Sequence, residues 1–207
     1  MTKIKICGLR RKEDVEMINC LKPDFVGFVL AESRRRVTPE EAAALRKVLR
    51  ADIPAVGVFR NEDPRRIEEL LLEGIIDIAQ LHGRETEETV RQIRQLTGKP
   101  VIKAVSVSTA ADPGSWNSSA ADCLLLDHGS GGSGQPFDWQ LVQNIRKPFF
   151  LAGGLTPANV TAALAAVRPA GVDVSSGVET DGYKDRQKIT AFIRAVRQYD
   201  QEAIYGR

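Results

Sequence analysis

Short apolar runs recur along the chain, separated by longer amphipathic segments. The runs are KIKIC (3–7), FVGFVL (25–30), PAVGVF (54–59), IAQLH (78–82), VIKAV (101–105), CLLLD (123–127), FFLAG (149–153) and GVDVSS (171–176). Their C-terminal ends fall roughly 22 to 29 residues apart, room for one strand, one helix and two short loops. Strands alternating with helices predict parallel βαβ units.

The intervening segments carry helix punctuation. In TPEEAAALRKVLR, Thr38 is placed as an N-cap, followed by Pro39 in the first turn and then acidic residues. EDPRRIEELLLEG repeats that grammar and ends on Gly74. TPANVTAALAAVRPAG predicts a helix starting at Thr156–Pro157 and stopping before Pro169. The weakest interval is DPGSWNSS (112–119), which is turn-rich and holds a poor helix at best.

Eight such units fit either an open doubly wound sheet or a closed (β/α)₈ TIM barrel. No GxGxxG or GxxxxGK[ST] fingerprint marks a nucleotide-binding switch point. Polar residues gather instead at the C-terminal ends of many runs: Cys7, His82, Asp127, Gly153–Gly154 and Ser175–Ser176. A site fed by several strand ends is the barrel pattern. The expectation is an α/β chain folded as a compact single (β/α)₈ barrel domain over residues 1–207.

At 207 residues with 29 basic and 27 acidic side chains, the chain lacks the basic excess of a dedicated nucleic-acid binder. It has no apolar run of about 18 residues for a membrane span, and its N-terminus turns charged too early for a signal peptide. Three cysteines, Cys7, Cys20 and Cys123, have no metal-ligand spacing and suggest reduced thiols in a cytoplasm.

The strand ends suggest chemistry. LAGGL (151–155) and DVSSGVE (173–179) follow the seventh and eighth runs. Loops in those places often bind phosphate, with backbone N–H groups forming an anion nest. Gly153, Gly154, Ser176 and Gly177 are the candidates. Either loop alone reads more readily as a tight strand-to-helix turn; the pair, on adjacent strands, points to phosphate. GSGGSGQPFDW (129–139) has the composition of a flap or of a simple linker, with Asp138 suited to cap a following helix. Cys7 is a small buried hydrophobe or a base, and Lys5, two residues back on the same face, either helps stabilise its thiolate or faces solvent. Asp127 tops an apolar strand, where burial favours a protonated general acid; capping a helix or pairing with an arginine is the plainer alternative. His128, its neighbour, is a rival by position.

Arg34, Arg35 and Arg36 sit where a guanidinium can grip a carboxylate, although a charge run is more often a solvated surface. His82, in QLHG, reads as structural or as a substrate contact. Asp173 shares a face with Ser175 and needs a partner inside a barrel, either Lys5 or Lys103 or a substrate hydroxyl.

Taken in order, KICG (5–8), DFVGFV (24–29), SRRRVTPEEA (33–42), VGVFRNE (56–62), QLHG (80–83), VIKAV (101–105), LLLD (124–127), GGSGQPFDW (131–139), LAGGLTPANV (151–160) and VDVSSGVETDGYKD (172–185) resemble the phosphoribosylanthranilate isomerase family. The resemblance implies a (β/α)₈ barrel performing a metal- and cofactor-free Amadori rearrangement in tryptophan biosynthesis. By it, Cys7 is the general base and Asp127 the general acid. Arg35 best matches the arginine that holds the anthranilate carboxylate, and the LAGGL and SSG segments match the phosphate grip. Gln80, His82 and Asp173 join the substrate-binding set. The implied partner is a small phosphorylated aminosugar, bound by a monomer or homodimer. The chain departs from the family pattern in reading SRR where SPR is common, and in having only His128, Gly129 and Ser130 between Asp127 and GGSG. The related histidine-pathway isomerase uses an aspartate where Cys7 stands, which favours the tryptophan branch. A catalytically silent phosphosugar-binding barrel is the alternative of another class.

Overall fold

The computed structural model describes residues 1–107, 113–127, 142 and 144–206. The strands are β1 (Lys3–Cys7), β2 (Phe25–Val29), β3 (Ala55–Phe59), β4 (Ile78–Leu81), β5 (Val101–Ser106), β6 (Cys123–Asp127), β7 (Phe149–Ala152) and β8 (Gly171–Val174). They form a closed barrel in chain order, parallel at every seam, with β8 returning to β1. All eight expected strands are present, within two residues of where the apolar runs placed them.

Helices α1 (Lys12–Leu21), α2 (Pro39–Val48), α3 (Pro64–Leu72) and α4 (Glu87–Thr97) follow the first four strands. Helices α5 (Val160–Val167) and α6 (Arg186–Tyr205) follow β7 and β8. The capping grammar of α2 is realised in both directions. The Thr38 hydroxyl accepts from the Glu41 backbone N–H at 3.2 Å, and the Glu41 carboxylate accepts from that of Thr38 at 2.7 Å. Asp63 caps α3 by accepting from the Arg65 N–H at 2.9 Å.

The start of α5 differs from expectation. Asn159 Oδ1 accepts from the Thr156 N–H at 2.7 Å, and Asn159 Nδ2 donates to the Gly154 carbonyl at 3.0 Å. This side chain ties TPAN into a turn, and regular helix begins at Val160. Its end is as expected: Arg168 turns left-handed at φ 46°, just before Pro169. The weak interval before β6 holds a 3₁₀ turn, Pro113–Ser118. The expected flap, the helix cap at Asp138, and His128 lie outside the described residues.

Strand alternation divides the core in two. Outward residues such as Ile4, Ile6, Phe28 and Phe59 pack beneath the helices with Ile67, Leu70 and Phe192, all essentially buried. Each such side chain contributes about 1.5–3 kcal/mol on burial. Inward residues Val56, Ile102, Ala104, Leu125, Phe150 and Ala152 form a separate plug, with Phe25 edge-on to Phe150 at 5.7 Å. The plug closes the barrel below, so the inward residues above it must line whatever space remains at the C-terminal mouth.

Candidate active site

That space is a cavity of about 530 Å³. Its wall includes the last inward residue of each strand: Cys7, Val29, Val58, Gln80, Ser106, Asp127, Ala152 and Asp173. Arg35, His82, Gly153, Gly154, Ser176 and Gly177 complete the set singled out in the sequence. All ten expected site residues therefore border one cavity, because strand period and parallel register deliver them to the same end.

Lys5 and Cys7 are successive inward residues of β1, and the register sets Lys5 directly beside Asp173 of β8. The Lys5 ammonium lies 3.0 Å from the Asp173 carboxylate, with Lys5 fully buried and Asp173 nearly so. Lys5 is thus the partner Asp173 requires. Lys103, the other candidate, is committed to Glu85 at 2.8 Å. Burial opposes the charge on Lys5, but Asp173 and then Cys7 outweigh it and hold its pKa above the ordinary value. For Cys7 the balance runs the other way. Burial pushes the thiol up, and Lys5 and Lys184 oppose this without reversing it. The expected influence of Lys5 is present, but burial is the larger one.

Of the three arginines after β2, only Arg35 faces the cavity. Arg34 is largely exposed and Arg36 is exposed, its backbone bridged to Val29. The Arg35 guanidinium makes a two-pronged contact with Glu179, Nε to Oε1 at 2.7 Å and NH2 to Oε2 at 2.8 Å. Lys184 Nζ reaches the same carboxylate at 2.8 Å and the Ser175 carbonyl at 3.1 Å. The Ser175 hydroxyl in turn donates to the Cys7 carbonyl at 3.0 Å.

Glu179 and Lys184 were not singled out from the sequence. The usable signal was the Asp181–Gly182 pair between them, which favours a tight hairpin. The two residues adopt φ 52° and 78°, and Glu179 pairs with Lys184 across the resulting two-stranded ribbon, β9 (Glu179–Thr180) and β10 (Tyr183–Lys184).

Burial tends to raise the Glu179 pKa, but Arg35 and Lys184 overcome it and hold the group down at about 2. A depressed carboxylate stabilises the fold above its unfolded pKa, and this stabilisation is lost as pH falls toward the folded value. Glu179→Gln is therefore expected to be less stable than wild type at pH 7. The gap should narrow between about pH 4.5 and 2, as measured by denaturant unfolding across that range.

On β4, Gln80 Nε2 lies 3.1 Å from His82 Nδ1, and His82 Nε2 lies 3.2 Å from Asp127 Oδ2. Opposite them, the loops after β7 and β8 interlock. A Cβ on Gly177 would sit 1.8 Å from the Leu155 carbonyl oxygen, so only glycine permits this approach. Gly153 and Gly154 follow at φ 93° and 64°. Among the described residues, the backbone N–H groups of Gly153, Gly154, Ser176 and Gly177 have no hydrogen-bond partner. Four unpaired N–H groups at a cavity wall form a nest of the kind that can take an anion. Among the described residues, no cluster of His, Cys, Asp or Glu is arranged to hold a metal ion, and no helix is long and apolar enough to cross a membrane.

Fold and cavity together define the class: a (β/α)₈-barrel enzyme with its polar groups collected at the C-terminal mouth. Comparison with known proteins narrows it. Residues 4–195 match the family of N-(5'-phosphoribosyl)anthranilate (PRA) isomerases. The enzyme of that name from Acetivibrio thermocellus is 46% identical, over 97% of this chain and 98% of the relative. The crystal structure of phosphoribosyl anthranilate isomerase from Thermotoga maritima superposes with a TM-score of 0.86 at 38% identity, covering 96% of this chain and all of that one (100%). A further structure of such an enzyme is in complex with reduced 1-(o-carboxyphenylamino)-1-deoxyribulose 5-phosphate. It superposes with a TM-score of 0.84 at 36% identity, covering 96% of this chain and 100% of that one. The chain belongs to the N-(5'-phosphoribosyl)anthranilate isomerase family and is an isomerase of tryptophan biosynthesis.

Proposed function

We propose that the protein converts N-(5-phosphoribosyl)anthranilate to 1-(2-carboxyphenylamino)-1-deoxyribulose 5-phosphate in the cytoplasm, with Cys7 as general base and Asp127 as general acid. The observation that carries this reading is the meeting of ten sequence-derived residues around one cavity. The nest of Gly153, Gly154, Ser176 and Gly177 takes the phosphate, and Arg35, steadied by Glu179, takes the anthranilate carboxylate. Asp173, Gln80 and His82 border the ribose between them.

Cys7 and Asp127 end strands three apart around the ring, so they approach the sugar from different sides. Asp127 gives its proton to the furanose ring oxygen. The C1′–O bond breaks, with the anilino nitrogen lone pair forming the C1′=N bond of a Schiff base. The Cys7 thiolate then takes the C2′ proton. The C2′–H electrons form the C1′=C2′ bond of an enolamine and the C1′=N pair returns to nitrogen. In ketonisation the enol oxygen gives its proton to solvent and C1′ takes one from solvent, while Cys7 releases its proton to solvent and Asp127 regains one, so the cycle closes. Lys5 and Lys184 supply the positive charge that favours the thiolate during this cycle.

The test is anthranilate fluorescence. Freshly made phosphoribosylanthranilate should lose its signal when folded protein is added. Unchanged fluorescence with folded protein would falsify the assignment.

A further inference from the structure

We propose that Gln80 and His82 are a positioning pair for Asp127, in which the Gln80 carboxamide selects the imidazole tautomer that donates to the acid. This rests on the proposed role of Asp127.

A carboxyl that gives its proton to substrate carries it on the oxygen not bonded to His82, Oδ1, and an unprotonated carboxyl oxygen only accepts hydrogen bonds. His82 Nε2, 3.2 Å from Asp127 Oδ2, must then carry the hydrogen. In the neutral ring this leaves Nδ1 bare, and a bare nitrogen needs a donor. Gln80 Nε2 stands there at 3.1 Å. The reverse carboxamide orientation would require a proton on Nδ1. In a neutral ring that sets two lone pairs, Nε2 and Oδ2, against each other. One amide orientation and one tautomer therefore satisfy the chain from Gln80 through His82 to Asp127.

Two further observations give the pair this role. Gln80 is 1% exposed, so it acts through His82 and not on bulk solvent. Its Oε1 is buried and has no hydrogen-bond partner among the described residues. A buried acceptor left unpaired costs stability, so an apolar residue of similar size would serve the fold as well. What the carboxamide adds is the bond to the imidazole.

The mounting of His82 is rigid. Its backbone N–H donates to the Phe59 carbonyl at 2.7 Å. The buried Lys103 ammonium grips the carbonyls on either side, Leu81 at 3.2 Å and Gly83 at 2.8 Å. A group held this way keeps its direction, which is what a positioned acid needs.

The chain has two histidines, so ¹⁵N-histidine NMR reads the tautomer directly, and the His82→Gln spectrum assigns the peaks. In wild-type protein His82 should be the Nε2–H tautomer. Gln80→Leu should mix the tautomers and lower kcat about 10- to 10²-fold, the range typical of lost orienting partners, with KM within about twofold. His82→Gln, which keeps an amide donor near the Nε2 position, should retain more activity than His82→Leu.

An Nδ1–H ring in active wild-type protein overturns the positioning role, whether or not any variant folds. So does a folded Gln80→Leu with wild-type tautomer and kcat. Absence of turnover by wild type overturns the proposed function first, and the positioning role with it. The tautomer itself is readable in either case.

Discussion

Cys7→Ala is expected to fold normally and to lose about 10²- to 10⁴-fold in kcat, and Asp127→Asn to lose a similar factor. This is the usual contribution of a positioned base or acid. Cys7 is a small side chain at the end of β1, 7% exposed, so the alanine variant removes one sulfur atom from the cavity wall and leaves the strand register intact. Asparagine keeps the shape of Asp127 and an oxygen able to accept from His82 Nε2, but has no carboxyl proton to give. Loss should therefore fall mainly on kcat, with circular dichroism and thermal unfolding close to wild type. The double variant should lose less than the product of the single losses, because two groups acting in one reaction sequence are not additive. Retained activity in either single variant would move that role elsewhere, with His128, the neighbour of Asp127 in the chain, the next residue to substitute.

The barrel was legible because its two periods are simple. Parallel strands buried on both faces read as continuous apolar runs, and each βα unit occupies a similar length, so the eight ends could be aligned by eye. The strand period then decided which residues face the barrel interior, and Lys5, Cys7 and Asp173 follow from it directly. Events that depend on packing between distant elements were harder to see. Arg35 was preferred within its run only by resemblance; its selection depends on a carboxylate 144 residues away, Glu179. Glu179 reaches it because a two-residue turn folds the chain back after β8. The start assigned to α5 fell a few residues early: Asn159 closes a turn over Thr156 by accepting from its N–H, and regular helix follows only from Val160. The state of Cys7 depended on a balance of magnitudes. Lys5 was correctly placed to favour the thiolate, but full burial exerts the larger influence.

Lys5→Met separates stability from chemistry at that same place, and its expected cost to the fold is large. Removing the ammonium leaves the Asp173 carboxylate, whose side chain is 10% exposed, buried without its 3.0 Å partner. Breaking one side of such a pair costs about 3–5 kcal/mol, a large part of the total stability of a protein of this size. Denaturant unfolding at neutral pH should show this loss. Substituting Asp173→Leu as well should recover much of it, since replacing a buried ion pair by apolar side chains is often neutral or better. The thiol should not recover in the same way. In Cys7 the lowering influence of Lys5 exceeds the raising influence of Asp173. With both removed, the Cys7 pKa should lie above its wild-type value, and alkylation of the thiol should require higher pH. A double variant that regains stability while its thiol titrates higher shows that the Lys5–Asp173 pair bears on the reactivity of Cys7 as well as on the fold. If its thiol titrates as in wild type, Lys5 is a structural counter-ion to Asp173 and nothing more.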